Sequence, residues 1–152
     1  MQTFFGNAMR RLLFFALLFP ALGAAAAEFR SVDDAAAVLY DGPSLAAIPV
    51  YVVSHAYPLE VIVSLESWVK VRDHTGTLAW IEKSSLSDKR TVLVTGQAAT
   101  VRVRPDDAAP VAFVAAQDVV LDWIEDAPGG WVQVRHADGT SGFVRSNQVW
   151  GG

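Results

Sequence analysis

Cysteine is absent from the chain. That single absence excludes disulfides, thiolate zinc sites, cysteine nucleophiles and the lipid anchor that bacterial lipoproteins carry on a cysteine. Positive charge is scarce as well: beyond Arg10 and Arg11, residues 28–152 hold 10 basic against 16 acidic side chains, with no basic cluster. An acidic body of this kind argues against nucleic acid or an anionic membrane surface as partner. Only three histidines are present, His55, His74 and His136, and none stands in an H-x-x-x-H spacing; no G-x-S-x-G nucleophile turn occurs either. The residues therefore offer no metal site, no cofactor site and no nucleophile motif, and paired acid and base carboxylates are not legible from one sequence. Asp33-Asp34, Asp106-Asp107 and Glu125-Asp126 read as solvated loop charge, and His74 and His136 as solvated turn residues.

What is abundant is apolar: 52% of the 152 residues are hydrophobic and 18% charged, a composition that folds rather than stays disordered. Part of that apolar content is an N-terminal address. Arg10 and Arg11 close an acid-free basic region, Leu12 to Leu22 form an uncharged run of 11 residues, and Gly23 to Ala27 supply small residues for cleavage. Residues 1–27 thus read as a secretory signal peptide, with Glu28 as the new N-terminus and a periplasmic destination. The apolar stretch ends at Ala27 and contains Pro20 and Gly23, short of the ~20 residues a spanning helix needs, so no stable membrane insertion is expected after cleavage.

The remaining chain repeats. Trp68 to Arg72 (WVKVR) meets Trp131 to Arg135 (WVQVR) at an offset of 63, as Gly76-Thr77 meets Gly139-Thr140 and Trp80-Ile81 meets Phe143-Val144. Upstream the offset is 62, matching Pro43 with Pro105, Tyr51-Val52 with Phe113-Val114 and Leu59-Glu60 with Leu121-Asp122. The single length change falls between Val63 and Trp68, opposite Glu125-Asp126-Ala127-Pro128-Gly129-Gly130, where turn chemistry tolerates insertion. Two homologous modules follow, 28–90 and 91–152.

Each module reads as strands. Val69 and Val71, like Val132 and Val134, alternate with tryptophan, a polar residue and arginine, which is the period of two of a half-buried strand. Asp and Gly in the following D-H-T-G and H-A-D-G-T segments suit tight hairpins. About five short strands per module are expected, with Val32 to Leu39 as the one helix-like stretch and Thr91 to Thr95 as the second module's first strand or a bridge between the two. The class is all-β, built as two small curled sheets or barrels.

The second module's V-R-x-R-P opening at Val101 to Pro105, its Gly130-Trp131-Val132-Gln133-Val134 centre and its Asp138-Gly139-Thr140-Ser141-Gly142-Phe143-Val144 close resemble the bacterial SH3-like (SH3b) pattern. The first module is similar but has Tyr40 for Arg102, Ser67 for the glycine before tryptophan and Ala79 for Gly142. The resemblance covers nearly all of residues 36–150 and implies two tandem SH3-like β-barrels that bind peptide-like targets or cell-wall material without catalysis. It also resembles the exported two-module proteins of Gram-negative bacteria.

Aromatic residues carry the binding expectation. Trp68 and Trp131 fall on the strand face opposite the paired valines, beside Lys70, Arg72, Gln133 and Arg135, and so are expected to be partly exposed. All three tyrosines, Tyr40, Tyr51 and Tyr57, cluster in the first module, where the resemblance places a ligand loop. Tyr40, Tyr57, Trp68 and Trp131 are the candidate ligand-binding residues, centred on the first module. The expected partner is peptidoglycan stem peptide or an extended segment of an envelope protein; the alternatives are a structural scaffold or accessory subunit without small ligand, and an envelope hydrolase.

Overall fold

The computed structural model describes residues 24–152, so almost all of the expected signal segment lies outside the described residues. The first seven strands are β1 (Glu28–Val32), β2 (Ala36–Tyr40), β3 (Pro49–Ser54), β4 (Pro58–Ser64), β5 (Trp68–Arg72), β6 (Leu78–Glu82) and β7 (Leu86–Ser87). The next seven are β8 (Thr91–Val94), β9 (Ala98–Arg102), β10 (Val111–Ala116), β11 (Val120–Ala127), β12 (Trp131–Arg135), β13 (Ser141–Arg145) and β14 (Val149–Trp150). They form two antiparallel seven-stranded sheets of identical topology, β3-β2-β6-β5-β4-β1-β7 and β10-β9-β13-β12-β11-β8-β14. The duplication seen in sequence is thus a duplication of fold, down to a bulge after Val61 in β4 and after the matching Trp123 in β11.

The alternating valines do what their spacing requires. Val69, Val71 and Ile81 close one core with Val32, Leu39 and Leu59, and Val132, Val134 and Val144 close the other with Val92, Val94, Val101 and Leu121. Seven strands form per module rather than five, and one of the two added strands arises where a one-turn 3-10 helix after β6 and after β13 drops a two-residue strand back onto β1 and β8. The helix-like stretch is not a helix. Ala36 to Tyr40 is strand β2, where Ala37 and Leu39 are buried between β3 and β6 and core burial outweighs alanine's helical preference.

Strand β8 settles the role of Thr91 to Val94. All four residues are buried: Val92 and Val94 enter their own core, while the Thr91 hydroxyl donates to the Ala56 carbonyl of the first sheet at 2.6 Å. The same seam is closed by Ser31, whose hydroxyl donates to the Lys89 carbonyl at 2.7 Å, and by Trp150, which meets Phe29 edge-on at 5.1 Å. Gly151 completes it with φ +116, since a Cβ there would stand 2.6 Å from the Thr91 oxygen and 2.8 Å from Pro58. The two sheets therefore meet through packed, hydrogen-bonded contact rather than a free linker.

Candidate ligand-binding site

On the outer face of the first sheet, Tyr40 at the end of β2 pairs in register with Trp80, and Lys70 of β5 is the cross-strand partner of the same tryptophan. The Tyr40 ring stands edge-on to Trp68 at 5.6 Å, and the Lys70 ammonium lies 6.0 Å from the Trp80 ring centre. All four side chains are partly exposed. Beside them the β2–β3 loop leaves Leu45 and Ile48 65% and 68% exposed, although Asp41 braces that loop by accepting the Ile48 amide. The result is an aromatic shelf with an apolar rim, walled on the Trp68 side by a shallow polar recess that includes Glu66 and Glu82.

In the second sheet the position of Trp68 is shut, while Arg102, Gln133 and Phe143 stay partly exposed. Trp131 is 4% exposed because Arg145 lies over its ring at 4.2 Å. Asp107 in turn holds Arg145 by ion pair and hydrogen bond, and the Arg145 hydrogen bond keeps the Asp107 carboxyl below its ordinary range. Arg145 also donates to the Gly129 carbonyl at 2.9 Å. The expected partial exposure of Trp131 is therefore corrected: strand alternation points the ring outward, but a guanidinium delivered by β13 covers it. Arg102, in place of Tyr40, donates to the Ala109 carbonyl at 2.8 Å. In the 62 and 63 offsets Asp107 corresponds to Leu45 and Arg145 to Glu82, so the first module lacks both halves of this lid.

Tyr57 is elsewhere. It follows the tight β3–β4 turn, in which Ala56 takes φ +65, at the opposite end of β3 from the Tyr40 partner Pro49. Its hydroxyl meets His74 Nδ1, and His74 in turn stacks edge-on to Trp150 at 6.5 Å. Burial raises the Tyr57 phenol above its ordinary pKa. Tyr57 is thus part of the seam, and His74 remains an exposed turn residue whose ring contacts Tyr57 and Trp150. Of the four candidates, the structure brings Tyr40 and Trp68 together and separates Tyr57 and Trp131 from them. Leu45, Ile48 and Glu82 went unread as site residues, although laying Leu45 on Asp107 and Glu82 on Arg145 in the repeat was the available signal.

Tyr51 serves the fold rather than the shelf. Its hydroxyl donates to Asp73 Oδ2 at 3.0 Å, and Asp73 Oδ1 accepts from the Thr75 amide, the Thr75 hydroxyl and the Thr77 amide at 2.7 to 2.9 Å. Burial alone would raise the Asp73 carboxyl, but these hydrogen bonds outweigh it and hold the pKa below the ordinary value. Burial and the Asp73 hydrogen bond push the Tyr51 phenol upward.

The model of the bacterial SH3 domain matches residues 33–88 and again residues 95–151. The chain belongs to the bacterial SH3 domain family. Bacterial SH3 domains bind peptidoglycan or proteins. No curated protein matches the chain. Among solved structures it is similar to NlpC2 of Trichomonas vaginalis, with 15% identity and a TM-score of 0.39 over 84% of this chain and 49% of that one. NlpC1 of the same organism gives 15% and 0.37 over 81% and 45%, and an NlpC/P60 family protein from Bacillus cereus gives 15% and 0.38 over 80% and 55%. The chain spans about half the length of these structures.

Proposed function

We propose that this tandem bacterial SH3 protein is an exported, non-catalytic binding protein of the cell envelope that grips an extended peptide, in the first instance a peptidoglycan stem peptide, on the shelf of its first module. The observation that carries the reading is the missing lid. Tyr40, Trp68 and Trp80 are left partly open beside exposed Leu45 and Ile48, where the sister module covers Trp131 with an Arg145–Asp107 pair. Aromatic faces and an apolar rim beside Lys70 and Glu82 suit a chain of small side chains and repeating amides. The periplasmic location rests on the signal-like residues 1–27. The non-catalytic assignment rests on the absence of a nucleophile motif or metal-ligand spacing in the sequence.

Retention of the purified protein on peptidoglycan sacculi is the test. Binding that depends on Tyr40 and Trp68 is the expected result. Capture of an envelope protein with no retention on sacculi would move the ligand to a protein segment, and release of soluble cell-wall fragments would overturn the non-catalytic assignment.

A further inference from the structure

The two copies treat one arginine differently. In the first module Arg72 grips Glu60, its cross-strand partner, with two hydrogen bonds of 2.8 Å. In the second, Arg135 stands opposite Asp122 in the same register, but Asp122 is taken by Lys89 at 2.8 Å. Arg135 is exposed and has no ion-pair or side-chain hydrogen-bond partner among the described residues. Lys89 comes from the segment joining the modules, so the exchange happens at the seam. There Arg135, Lys89, Asp122 and Val120 face His55 across a cleft of about 310 Å³. Two cations against one carboxylate make this cleft locally positive on a body whose acids outnumber its bases.

The cleft is not an isolated basic spot. Val120 also lines a second cleft of about 230 Å³, whose other walls include Val52, Val53 and Leu93. Val52 and Val53 belong to β3, which is the outermost strand of its sheet, and Val52 is 62% exposed. An edge strand offers backbone donors and acceptors to an added extended chain. A guanidinium without a partner offers a two-pronged site to a carboxylate.

We propose that the seam between the modules is a second binding site, which takes an extended peptide bearing a carboxylate. The carboxylate pairs with Arg135 and Lys89, and the neighbouring residues of the peptide lie over Val120 toward the β3 edge. The site is distinct from the aromatic shelf and stands or falls without it.

The test is a titration of the isotopically labelled protein, followed by amide chemical shifts, with four probes. These are acetyl-Ala-Val-Ala with a free carboxylate, the same peptide as its C-terminal amide, acetyl-Ala-Glu-Ala-amide, and inorganic phosphate. Shifts at His55, Val120 and Arg135 with a carboxylate peptide are expected. The first and third probes distinguish a chain terminus from an acidic side chain as the source. Arg135→Gln should weaken binding about tenfold or more. Asp122→Asn, which releases Lys89, should tighten it several-fold, a gain that a purely structural role would not produce. Unfolding midpoints accompany both variants. The proposal is overturned if the amide binds as well as the acid, if phosphate alone reproduces the peptide's affinity, or if Arg135→Gln at a native midpoint binds like the parent.

Discussion

Replacing Tyr40 by arginine separates the shelf's binding role from its folding role, because the sister module already shows how arginine sits there. Arg102 donates to the Ala109 carbonyl at 2.8 Å, and Ala47 is the matching residue in the first module. Tyr40→Arg forfeits the edge-to-face pair with Trp68, worth about 0.5–1.5 kcal/mol. It gains a hydrogen bond worth about 0.5–1.5 kcal/mol, so the net cost to folding is close to zero. A midpoint change of less than about 5 °C follows. Binding should respond far more, since removing a central aromatic costs about 2 kcal/mol, roughly a 30-fold loss of affinity. The double variant Leu45→Asp with Glu82→Arg approaches the same end from the other side: it installs the Asp107–Arg145 lid over Trp68 and should abolish binding with the fold intact. Both are read by retention on sacculi beside thermal unfolding. Full retention by both variants at native midpoints would refute the shelf as the site.

Asp73→Ala should destabilise the first module by about 2–4 kcal/mol, because the Tyr51 hydroxyl and the Thr75 and Thr77 amides lose their acceptor. In the parent, the depressed Asp73 pKa contributes stability that is fully present above the ordinary carboxylate range and is lost as pH falls through the folded value, so denaturant midpoints below pH 4 should drop more in the parent than in the variant. Trp131→Ala should cost about 3–5 kcal/mol, as expected of a covered aromatic, and a circular-dichroism melt should show loss of the second module. Expressed separately, residues 28–90 and 91–152 should each melt well below the intact chain, since cutting there exposes Thr91 and Leu93; two fragments as stable as the whole would deny the seam any energetic role.

The fold was legible because its signals are local. Period-two valines and Asp-Gly turns are read within ten residues, and the repeat doubles every signal. Gly142 illustrates the limit. It replaces Ala79 because a Cβ there would lie 2.6 Å from the Arg102 carbonyl, a close approach between β13 and β9 that no local pattern announces. The Trp131 lid is likewise non-local: it needs Arg145 from β13 and Asp107 from the β9–β10 loop to converge on one ring. Tyr57 lies away from the shelf for a similar reason. The tyrosine cluster suggested one surface, but the hairpin at Ala56 turns Tyr57 toward the C-terminal Trp150, 93 residues away in the chain.

The differences between the copies come in interlocking sets, and this bears on what the shelf is for. At the hairpin after β5, Tyr51, Asp73 and Thr75 give way to Phe113, His136 and Asp138. The tyrosine–carboxylate bond becomes a Phe113–His136 ring contact, and the turn's carboxylate moves to Asp138, which accepts the Thr140 amide at 2.8 Å. At this hairpin the set is self-consistent, since each polar group that loses one partner is replaced or given another. The lid positions behave the same way. Leu45, Glu82 and Tyr40 stand together where Asp107, Arg145 and Arg102 stand together. At these three positions neither module mixes the two sets. The first copy has no charged cover and carries a 65% exposed leucine at that position, which adds nothing to its own core. Under the proposed function, that exposed apolar surface beside two tryptophans is what a bound partner would cover, and the second module, packed through β8, is the support on which it is presented.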